Sequence, residues 1–157
     1  MGFFSRLFGL EGGAKSESKK QEIRNNFNSL VENGEDYVTL CVMDIVYEKK
    51  LFKDVTTYYN YIIGYKAGDD PEIIIISTDN NMSSFEPPII CKRSECESAF
   101  FNEKRKRYTI KHPAFGEHPM EFFLDPTGST NGGYTIGVNQ LQEFQPFYDF
   151  FTGVFSK

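Results

Sequence analysis

The chain has 157 residues and a net charge of −5, and its hydrophobic share of 39% includes 16 Phe and 9 Tyr but no Trp. That length fits one domain with a core of its own, built largely from Phe. The acidic balance argues against a nucleic-acid partner, because phosphate recognition needs a basic surface.

Met1–Leu10 is apolar, and Phe3, Phe4, Leu7 and Phe8 fall on one side of a helix. Glu11-Gly12-Gly13 should break that helix, so residues 1–18 read as an apolar segment and linker ahead of a globular domain at 19–157. The segment has two readings, an interfacial membrane anchor or a piece that folds back on the domain. Arg6 stands where N-myristoylation needs Ser or Thr, which argues against lipidation.

Ser18 and Gln21 have capping-box spacing, and Ile23, Phe27, Leu30 and Val31 follow at helical intervals. The pattern predicts a helix over 19–33, with Gly34 just past its end. Strands are expected at Tyr37–Tyr47, Val55–Lys66, Glu72–Ser77, Ile89–Lys92, Tyr108–His112, Met120–Leu124 and Tyr134–Val138. Residues 93–107 are ambiguous, with Asn102–Arg107 as an exposed hairpin tip. The stretch Thr57–Ser77 reads as a β-hairpin, two β-rich runs around Lys-Ala-Gly-Asp-Asp-Pro, and its Ile run is apolar enough to be buried on both faces. Gly64 suggests a bulge or a close backbone approach. Leu141, Phe144, Tyr148, Phe151 and Phe155 form the apolar stripe of a final helix, which Pro146 either begins or kinks.

The order is one helix, about seven antiparallel strands and a closing aromatic helix, an α+β arrangement. It resembles the pleckstrin-homology superfold, a bent seven-stranded barrel plugged by a C-terminal helix. Tyr108-Thr-Ile-Lys, Met120-Glu-Phe-Phe-Leu, Tyr134-Thr-Ile-Gly-Val and Leu141-Gln-Glu-Phe carry most of that resemblance. Domains of that fold usually have a tryptophan in the final helix, and this chain has none. An antiparallel sheet covered by two helices is the alternative.

Three cysteines, Cys41, Cys91 and Cys96, and no secretory signal point to a reducing compartment. No apolar run reaches the roughly 20 residues that span a bilayer, so the expected location is the cytoplasm, with peripheral membrane attachment as an option. Cys91-x4-Cys96-x15-His112-x5-His118 meets the outer limits of a zinc-finger spacing. Pro113 and Pro119 follow the two histidines and forbid the usual ligand helix, so no metal or other cofactor is expected. Cys91 or Cys96 beside His112 is a second option, a nucleophile pair, for which no orienting third residue can be assigned. The sequence contains no P-loop, dinucleotide glycine motif or G-x-S-x-G.

Charge is uneven along the chain. Residues 91–112 carry seven basic and three acidic side chains, between two acidic stretches. Lys104, Arg105, Lys106 and Arg107, next to Phe100, Phe101 and Tyr108, are the best binding candidates, suited to anionic headgroups or an acidic protein partner. The alternative is a solvated tip that blocks edge pairing. The leading expectation is a non-enzymatic interaction domain that binds a protein partner at the inner membrane face. A small Cys/His enzyme and an acidic inhibitor or immunity-type protein are the alternatives.

Overall fold

The structure is a computed structural model that describes residues 3–157, with side chains from Lys15 onward. Helix α1 (Phe3–Leu30) is followed by seven strands: β1 (Val38–Lys50), β2 (Lys53–Lys66), β3 (Glu72–Thr78), β4 (Ile89–Lys92), β5 (Ser98–Asn102), β6 (Arg107–Lys111) and β7 (Met120–Phe122). Helix α2 (Leu141–Phe150) closes the chain and widens into a π turn at Phe151–Phe155. The strands form two antiparallel meanders, β1-β2-β3-β4 and β5-β6-β7. The fold is α+β, with an aromatic C-terminal helix and no closed barrel. A paired bridge between Met43 and Phe123 joins the sheets, with amide-to-carbonyl distances of 3.0 and 2.8 Å.

The β2–β3 hairpin lies at the centre of the first sheet, with Lys66 opposite Glu72 across the turn. Side chains alternate across a strand, so β3 serves two cores. Ile73 and Ile75 enter the core between the sheets, where Tyr108, Phe122, Phe147 and Phe151 also lie. Ile74 and Ile76 face the other way and meet Ile23 and Phe27 of α1. Gly64 lies within regular β1–β2 pairing, opposite Thr39, so it marks no bulge. It marks a close approach, since a Cβ there would fall 2.2 Å from Cζ of Phe27.

Several expected boundaries move. Helix α1 runs through Gly12-Gly13 and Ser18, where the sequence predicts a break and a cap, and it ends before Asn33. Asn33, not Gly34, takes the left-handed conformation, at φ 57°, which Asn tolerates through its short polar side chain. The ambiguous stretch contains a true strand, β5. Tyr134–Val138, expected as the last strand, pairs with no strand. Two of its backbone groups are met by the buried Asn60 side chain, which donates to Tyr134 O at 3.0 Å and accepts from Ile136 N at 3.1 Å, and Thr135 N donates to Thr130 O at 3.1 Å.

Gln140 acts in the same way on the outer edge of β1. Its carboxamide accepts from Cys41 N at 2.8 Å and donates to Cys41 O at 2.9 Å. One side-chain amide thus stands in for a neighbouring strand, satisfying groups that would otherwise be buried without partners. Gln140 is also the residue that precedes the first turn of α2, and Asn139 just before it accepts from Leu141 N through Oδ1 at 3.1 Å. The buried face of α2 is rotated from the expected stripe. Phe147, Phe150, Phe151 and Phe155 are buried, Phe144 and Tyr148 are partly so, and Leu141 is 62% exposed.

Candidate interaction surface

The β1–β2 hairpin outgrows its sheet. Strand β3 covers β2 only as far as Asn60, opposite Thr78. Pairing of β1 with β2 continues from Ile45–Tyr58 to Lys50–Lys53. At about 3.3 Å per residue this two-stranded ribbon extends roughly 20 Å. Its root is fixed: Tyr134 stacks on Tyr58 with centroids 4.8 Å apart. Arg107 Nε also donates to Asp44 Oδ1 at 3.2 Å, with both side chains mostly buried. The guanidinium lies 4.3 Å from the Phe123 ring centroid. Burial pushes the Asp44 carboxyl up, and the opposing pull of Arg107 does not cancel it.

At the apex, Leu51 and Phe52 form the two-residue turn, 89% and 93% exposed, and Tyr47 on the ribbon is 76% exposed. Turn chemistry does not call for them. Tight hairpins favour Asn-Gly, Asp-Gly or Gly-X because those residues accept positive φ. Here neither Leu51 nor Phe52 has positive φ. Lys50 and Lys53 flank the pair, and Lys49 lies one step further back, opposite Asp54. Among the described residues Lys49 and Lys53 have no carboxylate within ion-pair range, and Lys50 reaches Glu48 only at 4.0 Å.

The predicted basic tip forms the β5–β6 turn, as expected, with Lys106 at φ 55°. Three of its four cations have carboxylate partners, although Arg105 and Lys106 stay exposed. Arg105 pairs with Glu121 at 2.7 Å, Lys106 with Glu103 at 3.3 Å and Arg107 with Asp44. Lys104 alone of the four has no carboxylate partner among the described residues. Of the aromatics beside the turn, Phe101 and Tyr108 pack into the core with Tyr148, and Phe100 stays exposed. Phe101, Phe144 and Tyr148 also line an open groove of about 310 Å³. The side chains of Phe3, Phe4, Leu7 and Phe8 lie outside the described residues.

The cysteine and histidine residues do not form a ligand set. Among the described residues no three His, Cys, Asp or Glu side chains are placed to share a metal. Cys91, Cys96 and His112 are buried and His118 is exposed. His112 Nδ1 accepts from Ala114 N at 3.1 Å, so the ring proton of the neutral form sits on Nε2. That Nε2 is buried without a hydrogen-bond partner, 3.8 Å from Glu95 Oε2. The thiols lack activation. Burial pushes Cys41 and Cys91 up to about 12, and it raises Cys96 despite Lys157 and Arg93 nearby. A nucleophilic cysteine needs the opposite shift.

Sequence reasoning therefore missed Tyr47, Leu51 and Phe52. The available signal was an apolar pair set inside Glu48-Lys49-Lys50 and Lys53-Asp54, a stretch that reads as a polar break. No helix of the described residues is long and apolar enough to cross a membrane. In comparisons with known proteins the chain matches no family model, no curated protein and no solved structure.

Proposed function

We propose that this chain is a non-enzymatic interaction domain of pleckstrin-homology-like architecture, cytoplasmic, that binds a protein partner at the inner membrane face. The observation that carries this reading is the β1–β2 ribbon, which holds Tyr47, Leu51 and Phe52 in solvent where neither core packing nor turn chemistry requires them. Exposed large apolar groups gathered on one projection mark a contact surface better than apolar groups scattered singly. Support for the architecture comes from the division into four and three strands, the bridge from β1 to Phe123, and an aromatic helix that fills the space between the sheets. The polar residues best suited to chemistry have structural duties instead: Gln140 and Asn60 hold backbone, and the thiols are buried and protonated.

The test is site-specific photo-crosslinking in cells of the native host. A crosslinking residue at Tyr47 gives a discrete protein adduct, and one at the exposed Glu117, in the β6–β7 connection, does not. Identical adduct patterns from the two positions would remove the ribbon as the contact surface and the reading with it.

A further inference from the structure

Building on the interaction-domain reading, we propose that the Leu51–Phe52 apex inserts into an anionic lipid bilayer, so that the membrane surface itself is one of the ribbon's partners. The apex has the layered order such a surface takes. Two large apolar side chains come first, 89% and 93% exposed. Lys50 and Lys53 follow, paired across the ribbon, and then Lys49 opposite Asp54. Glu48 lies one step nearer the body, opposite Val55. The full set of charges near the apex is thus three lysines, Asp54 and Glu48, net positive on a chain whose total is −5.

The acidic total matters to the choice of partner. Anionic headgroups repel most of this molecule and attract the apex, which orients the ribbon toward the bilayer. A second copy of the chain is the poorer occupant, because apposed apices would bring three lysines against three. An apolar protein pocket fits Leu51 and Phe52 but gives no reason for Lys49 and Lys53 to lack carboxylate partners. The β5–β6 turn contrasts with this arrangement, since three of its four cations have a carboxylate within 3.3 Å, from Glu103, Glu121 and Asp44, whereas at the apex only Lys50 has one among the described residues, at 4.0 Å.

The chain has no tryptophan, so Phe52→Trp introduces a single indole at the apex. With the full chain and phosphatidylcholine vesicles containing phosphatidylserine, its emission shifts to the blue and is quenched by brominated acyl chains. Phe100→Trp, on the exposed face of β5, shows neither change. In flotation, Leu51→Ser with Phe52→Ser lowers vesicle binding by roughly tenfold or more. Replacing Lys49, Lys50 and Lys53 by Gln removes the preference for phosphatidylserine. These positions are exposed, so circular dichroism and urea midpoints stay at wild-type values. An unchanged Phe52→Trp spectrum, or wild-type flotation of the double Ser variant, overturns the proposal. If the Tyr47 adduct to a protein survives that result, the interaction reading stands and the ribbon is a protein contact alone. If the adduct is missing as well, both fall.

Discussion

Gln140 shows how much of this fold rests on a single side chain. It is buried, and both ends of its carboxamide are bonded to the backbone of Cys41. Truncation leaves a buried amide and a buried carbonyl without partners, and an unsatisfied buried polar group costs about 1–3 kcal/mol. Gln140→Ala therefore destabilises by roughly 2–4 kcal/mol, at the upper end because two groups are orphaned. Gln140→Glu keeps the acceptor and loses the donor, and it adds a buried charge, so it does not rescue. Urea denaturation of the two variants checks this, and near-wild-type stability of Gln140→Ala would mean that water or a local shift satisfies Cys41. Nothing in the sequence marks Gln140, because its partner is about a hundred residues away and hydrogen bonds at that separation leave no local periodicity. Gly64 was legible for the opposite reason. A glycine in a strand has few explanations, and the ring of Phe27 is one of them.

At the scale of elements, hairpins with strong turn signals were readable and segments held by distant side chains were not. Gly68-Asp69-Asp70-Pro71 between two β-rich runs left little choice for β2 and β3. Tyr134–Val138 has a strand's composition, yet Asn60 takes the place of the ladder. Helix α2 illustrates a limit of periodicity. Phe144, Phe147, Tyr148, Phe150, Phe151 and Phe155 are apolar on more than one face, so a 3.6-residue period fits more than one stripe. Packing decides, and it buries Phe147 against Tyr65, Tyr108 and Phe122. Phe147→Ala should cost about 3–5 kcal/mol. Leu141→Ala, on the stripe that periodicity favours, should cost less than about 1 kcal/mol because that side chain is largely exposed. Comparable losses in the two variants, measured by urea midpoint, would place the helix in the rotation that periodicity alone suggests.

For the whole molecule, the two cores share one sheet and the ribbon belongs to neither. Strand β3 is buried on both faces, with Ile73–Ile76 all withdrawn from solvent. Opening it exposes both cores at once, so its amides should exchange only through global unfolding. Beyond Asp44 and Tyr59 the ribbon has lost the cover of β3, and its residues grow more exposed toward the apex. A two-stranded hairpin without further cover is marginal on its own. Hydrogen exchange should therefore show a gradient along β1 and β2: fast at Tyr47–Val55, intermediate near Ile45 and Tyr58, and slowest at Cys41, Ile62 and Ile63. Uniform protection along β1 and β2 would mean that the ribbon is held by something other than its pairing. The gradient bears directly on function. A rigid root, fixed by Arg107, Asp44 and the Tyr58–Tyr134 stack, combined with a locally unstable apex lets a partner order the apex without disturbing the cores. Binding should then slow exchange at Tyr47–Val55 selectively and leave Ile73–Ile76 unchanged, whereas slowing that begins in β3 would mean that the partner stabilises the fold as a whole.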